Sequence, residues 1–120
     1  SKVRFDELRA AGKPVFVNFT AAWCITCLAN EKVALSDVGV ADAFRQAGIT
    51  YLKGDWTNQD PQISAHLAEF GRSGVPLYLL YPAGTGSAPQ VLPQLLTPNT
   101  VLSAIAAAGP GTASPKLAKE

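Results

Sequence analysis

Charge is scarce in this 120-residue chain: 16% of its residues are Asp, Glu, Lys or Arg, and the formal net charge is +1. No basic stripe is offered to nucleic acid, and no acidic block marks a solvated tail. Long hydrophobic runs are missing as well. The longest, such as residues 75–81, fall far short of the roughly 18–20 residues that span a bilayer. The opening Ser1-Lys2-Val3-Arg4 runs into an amphipathic segment with no leader pattern. The length suits one compact domain with a real core, and is too short for two. Cysteine is down to two residues and histidine to one, His66. A closed zinc site takes about four ligands, which this inventory does not supply. No metal is expected.

What is present is a pair, Cys24 and Cys27. A disulfide between them closes a loop of about four residues, which constrains the unfolded chain far less than a long-range bridge. As a staple the pair is poorly placed. Structural zinc and a purely structural bridge remain as alternatives, and a redox pair is favoured over both.

Residues 3–11 read as a short helix ended by Gly12-Lys13-Pro14. Residues 14–20 hold Val15, Phe16, Val17 and Phe19, the near-continuous apolar run of a strand covered on both faces. From Cys24 the pattern turns helical, with Cys24, Cys27, Leu28, Glu31 and Leu35 on one face. A further helical piece covers 38–47, a strand 49–56, and a helix begins at Asp60-Pro61 with Asp60 as N-cap. Ile63, Leu67 and Phe70 form its inner stripe. A strand over 76–81, a turn over 82–89 and an edge strand over 90–96 follow, the edge assignment resting on Pro93. Thr97-Pro98 opens a last helix whose Val101, Leu102 and Ile105 face the core. Residues 1–108 are therefore expected to form the domain, and 109–120 a flexible tail or linker. The first two strands should be parallel and the last two an antiparallel hairpin.

Only a thiolate attacks a disulfide, so exchange chemistry needs one cysteine ionised and reachable. A helix beginning near Cys24 supplies unpaired N–H groups and a positive dipole end. Cys24, the outer member, is then the expected nucleophile, and Cys27, one turn inside, the resolving thiol. Glu31 shares their helix face. A half-buried carboxylate there would titrate high, oppose thiolate formation and relay a proton; the alternative is a solvated glutamate at the helix edge. Trp23 reads as a partly exposed shelf beside the nucleophile, or else as a core residue. Lys53 reads as a surface lysine that can also reach toward Glu31. His66 reads as a surface residue. Pro76 opens a strand, where a proline needs a special reason. A cis Val75–Pro76 bond would leave the Val75 backbone free to pair with an extended peptide.

The run Val17-Asn18-Phe19-Thr20-Ala21-Ala22-Trp23-Cys24-Ile25-Thr26-Cys27, followed by Gly74-Val75-Pro76 before a strand, resembles thioredoxin over residues 12–107. The resemblance implies an α/β thioredoxin-like fold, a central mixed four-stranded sheet flanked by helices on both faces, with Pro76 as the cis-proline facing the Cys pair. Trp-Cys-x-x-Cys-x-x-x-Glu, then Asp55-Trp56-Thr57 and Gly74-Val75-Pro76-Leu77-Tyr78, is similar to the C-terminal periplasmic domain of DsbD-type transmembrane reductases; related suppressor-of-copper-sensitivity proteins share the plan. That resemblance implies a monomeric domain of a bacterial inner-membrane protein, facing the periplasm. Its partners would be protein thiols and disulfides, among them a transmembrane electron donor and a periplasmic acceptor of the same polypeptide. No dissociable cofactor is implied. The absent leader, short first helix and loose tail all suit an excised domain.

One position departs from the pattern. Thioredoxins and many DsbD-like domains carry an Asp six residues before the first cysteine, and Asn18 stands there instead. With one fewer negative charge, the cysteine should ionise more readily. Ile25-Thr26 replaces the Gly-Pro of thioredoxin. The rival readings are a free-standing or tethered thioredoxin-like reductase of the cytochrome-maturation type, and a non-catalytic interaction module.

Overall fold

The computed structural model describes residues 2–86 and 88–108. The elements run α1 (Lys2–Ala10), β1 (Val15–Thr20), α2 (Ile25–Asn30), a π-helical turn (Glu31–Leu35), α3 (Val38–Gln46), β2 (Thr50–Asp55), α4 (Pro61–Glu69), β3 (Leu77–Tyr81), β4 (Gln90–Val91) and α5 (Pro98–Ala108). The tail expected over residues 109–120 lies outside the described residues.

The sheet order is β2-β1-β3-β4. Every residue of β1 is buried, as its apolar run requires. It pairs in parallel with β2, Asn18 opposite Lys53, and antiparallel with β3, Asn18 opposite Tyr78. Alternation along β1 divides the core in two. Phe16 joins Tyr78, Leu80, Val40, Phe44, Val101 and Ile105 on the face covered by α3 and α5. Val15, Val17 and Phe19 join Leu8, Leu67, Leu77 and Leu79 on the face covered by α1 and α4. Gly54 in β2 lets the Phe19 ring lie close, because a Cβ there would stand 2.5 Å from that ring.

Capping follows local chemistry. Asp60 accepts from the Ile63 N–H at 3.1 Å ahead of Pro61, and Asp37 does the same for Val40 at the start of α3. Thr97 accepts from the Thr100 N–H at 3.1 Å and so opens α5.

Three expectations change. The edge strand is shorter than residues 90–96: ladder pairing covers Gln90 and Val91 alone. The Leu92 N–H still reaches the Tyr78 carbonyl at 3.0 Å, but Pro93 has no N–H to continue the ladder. Beyond it the backbone is captured by Asn30, whose Nδ2 donates to the Gln94 carbonyl at 2.7 Å and whose Oδ1 accepts from the Leu96 N–H at 2.9 Å. The inner stripe of α2 is the second change. Leu28 is 48% exposed, while Asn30 is only 3% exposed and donates to the Tyr78 hydroxyl at 2.8 Å. The buried line runs Cys27, Asn30 and Ala34, an i, i+3, i+7 row, and Glu31, where the π-helical turn begins, lies at its margin. Third, His66 is half-buried, its ring centroid 5.0 Å from that of Phe19 and 5.7 Å from that of Phe5. That burial holds its imidazole below the ordinary 6.5.

Asn30→Ala would strand the Tyr78 hydroxyl, the Gln94 carbonyl and the Leu96 N–H together. The expected loss is about 3 kcal/mol in urea unfolding; a change under about 0.5 kcal/mol, the usual range of a surface substitution, would show that the clamp contributes little.

Candidate redox site

β1 delivers the chain to its site in four residues. The Cys24 N–H bonds the Ala21 carbonyl at 3.1 Å, and Cys24 then serves as N-cap of α2 in an extended conformation, φ −92° and ψ 103°. Its Sγ accepts the Cys27 N–H at 3.1 Å. That N–H is one of the orphans every helix start leaves, and here sulfur satisfies it. Cys24 and Cys27 are joined as a disulfide, with Cα atoms 5.2 Å apart. Cys24 is 8% exposed and Cys27 fully buried, and Ala21 and Val75 pack against the pair. The outer and inner positions expected from spacing are therefore occupied as such.

The loop ahead of Cys24 is tied to the chain after β2. The Trp23 Nε1 donates to the Thr57 carbonyl and the Ala22 N–H to the Thr57 hydroxyl, both at 2.9 Å. Asp55 orders Thr57 in turn, its Oδ1 accepting from the Thr57 hydroxyl and from the Thr57 N–H at 2.9 Å, and these two bonds hold the Asp55 carboxyl below its ordinary range. Trp23 stands 52% exposed against Trp56, ring centroids 5.9 Å apart. On the other side Val75–Pro76 is a cis peptide, and the Pro76 carbonyl accepts from Arg72 at 3.0 Å.

Beneath the helix lies a polar cluster. Asn18 Nδ2 donates to Glu31 Oε2 at 3.2 Å and to the Tyr51 hydroxyl at 2.8 Å, and Lys53 Nζ stands 3.5 Å from Glu31 Oε1. Partial burial works to raise the Glu31 carboxyl. The Thr20 hydroxyl, the Asn18 amide and the Lys53 ammonium act the other way and prevail, so it titrates below 4.5. The raised value expected from burial is thus corrected: the donors around the carboxylate outweigh the missing water. Lys53 does reach Glu31, with its side chain still half exposed. Burial also raises the Tyr51 hydroxyl above its ordinary value.

Asn30, Thr57 and Tyr51 are the neighbours that sequence reasoning did not single out for the site. The β2 alternation already puts Tyr51 on the Lys53 side, and Thr57 follows an Asp at turn spacing. For Asn30 no comparable signal exists. Among the described residues no group of three or more His, Cys, Asp or Glu side chains is placed to hold a metal ion. No helix among them is long and apolar enough to cross a membrane.

The sequence model of the thioredoxin-like family matches residues 2–83. The chain belongs to the thioredoxin-like family. It is 31% identical over 80 residues to the thiol:disulfide interchange protein DsbD of Ralstonia nicotianae, and 33% identical over 78 residues to DsbD 1 of Pseudomonas aeruginosa. Those matches cover 67% and 65% of this chain, and it spans only 13% of either relative. Among solved structures, the reduced DsbD C-terminal domain of Neisseria meningitidis superposes with TM-score 0.71 at 20% identity, over 89% of this chain and 96% of that one. A thioredoxin from Thermus thermophilus also gives 0.71, at 18% identity over 88% of this chain and 81% of that one. These two likenesses speak for the fold: a thioredoxin-like sheet with a disulfide at the start of its second helix. Fold and disulfide together support thiol–disulfide oxidoreductase chemistry.

Because the Glu31 carboxyl is held low in the fold, its ionised form contributes stability that is complete above 4.5 and lost as pH falls through its lower folded value. Glu31→Gln removes that dependence. Urea unfolding on either side of pH 4.5 should show wild type losing more stability on acidification than the variant; equal losses would contradict the assignment.

Proposed function

We propose that the chain exchanges dithiol for disulfide with partner proteins, with Cys24 as nucleophile and Cys27 as resolving thiol. The observation that carries this is the Cys24 sulfur itself, at the start of α2, accepting a backbone N–H and, as the outer of the two cysteines, keeping 8% exposure beside Trp23. Such a donor and the dipole end favour the anion over the thiol. In the reductive direction the Cys24 thiolate attacks a partner disulfide and displaces one partner sulfur as thiolate, which takes up a proton. Cys27 then loses its proton and attacks Cys24 Sγ. The mixed disulfide breaks, the second partner thiol leaves, and two electrons have passed to the partner. Trp23 forms one wall for the incoming segment, and Val75 the backbone it lies against. Glu31 and Asn18 tune the sulfurs from below.

The finer reading is an electron-relay domain of a DsbD-like inner-membrane protein on the periplasmic side. It would act as a monomeric unit between a membrane-embedded donor and a periplasmic acceptor domain of one polypeptide. Its support is the identity with the DsbD relatives and the near-complete overlap with a DsbD C-terminal domain. The equal TM-score with a thioredoxin supports the second reading, a stand-alone reductase.

Insulin reduction driven by dithiothreitol tests the mechanism. Cys24→Ser should abolish turnover, and Cys27→Ser should stall as a mixed disulfide that gel analysis detects without reductant. Turnover by Cys24→Ser equal to wild type would contradict the mechanism.

A further inference from the structure

Two buried polar atoms on the strand that leads into the redox helix make no close hydrogen bond. Asn18 is fully buried, and both amide protons are engaged, one by Glu31 and one by the Tyr51 hydroxyl. Those two bonds fix which way the amide faces. Its Oδ1 is the atom left over, buried and accepting nothing. The Thr20 hydroxyl, two residues on along the same face of β1, is buried too and makes no close hydrogen bond, although it lies near enough to Glu31 to help hold that carboxyl low. Unpartnered polar atoms in an interior are uncommon, because each has given up water without replacement.

Both atoms stand on the strand that leads into α2, and the buried line of α2 begins at Cys27, which has no solvent exposure. The residue Asn18 grips, Glu31, is one helical turn beyond Cys27. In the disulfide state the Cys27 sulfur has no proton and can donate nothing. Reduction changes that. The S–S bond breaks as a partner dithiol supplies two electrons and becomes a disulfide, and each sulfur of this chain then carries a proton in its thiol form. Cys24 is the one of the two that ionises, leaving Cys27 as a buried S–H donor.

We propose that Asn18 Oδ1, with the Thr20 hydroxyl beside it, accepts the Cys27 S–H that reduction creates, so that this pair of β1 side chains positions the inner thiol and favours the dithiol state. The inference rests on the exchange reading above. It makes Asn18 more than a neutral substitute for a carboxylate: one end of its amide holds Glu31, and the other is kept free for the sulfur.

The test is the equilibrium between the chain and a glutathione redox buffer, for wild type, Asn18→Leu and Thr20→Val, with Asn18→Leu repeated in a Glu31→Gln background. Asn18→Leu removes the unpartnered acceptor from the disulfide state and the thiol's partner from the reduced state. The equilibrium should move toward the disulfide about tenfold, which is about 30 mV for a two-electron couple. The same variant also releases Glu31 and Tyr51, a loss common to both redox states that cancels in this constant. A shift that persists with Glu31→Gln does not travel through the carboxylate. Where Asn18→Leu fails to fold, Thr20→Val, close to isosteric and likewise repeated in the Glu31→Gln background because Thr20 also acts on that carboxylate, decides in the same direction. An unchanged constant overturns the proposal, since both atoms are then satisfied alike in both states, as by an internal water. So does a shift that vanishes with Glu31→Gln. A wild-type chain that does not exchange with glutathione at all would instead overturn the exchange reading.

Discussion

The Cys27 N–H points at the Cys24 sulfur from 3.1 Å, and the rest of the site is arranged so that this contact can exist. It requires a helix that starts at Cys24, a strand that ends four residues earlier, and a loop between them that does not wander. β1 is buried along its whole length between β2 and β3, so its end at Thr20 is fixed by the sheet. The loop is held twice by Thr57, and the Trp56 N–H bonds the Thr20 carbonyl at 2.7 Å. Sheet packing therefore positions a sulfur, and a helix terminus gives it an electrostatic preference.

Helix α2 itself is only six residues long and draws little stability from its own propensity. Its far end is secured by Asn30, which joins it to β3 and to the chain after β4. Just past that end, at the π-helical turn, Glu31 accepts from the Asn18 amide of β1. Polar contacts do at this helix what apolar packing does for α3 and α5. Leu28 and Ile25 are left facing solvent beside the Cys pair, where an incoming protein chain can cover them.

The parts of this arrangement legible in the sequence are those set by local pattern. The unbroken apolar run before the Cys pair marks a central strand, Asp60-Pro61 marks a helix start, and two cysteines three apart ahead of a helical repeat mark a redox pair. The parts that were not legible depend on contacts across the fold. A helical wheel places Leu28 inward and says nothing for Asn30, because Asn30 is drawn in by its bonds to Tyr78 and to the chain after β4, contacts distant in sequence. Burial alone suggests a raised Glu31 carboxyl; only the placement of Asn18, Thr20 and Lys53 around it reverses the sign. His66 looks like a surface residue until α1 folds back and brings Phe5 against it. Ladder pairing in β4 ends at Val91, as Pro93 and the Asn30 clamp divert the backbone that would have extended the strand.

At the start of α2 the Cys24 sulfur becomes an anion more readily than an ordinary thiol does. The pH dependence of iodoacetamide alkylation in the fully reduced chain measures this directly, with each cysteine followed by peptide mass. The account predicts a Cys24 midpoint clearly below the ordinary value of about 8.5, with Cys27 labelled far more slowly. A Cys24 midpoint at or above about 8.5, or equal labelling of the two sulfurs, would contradict it.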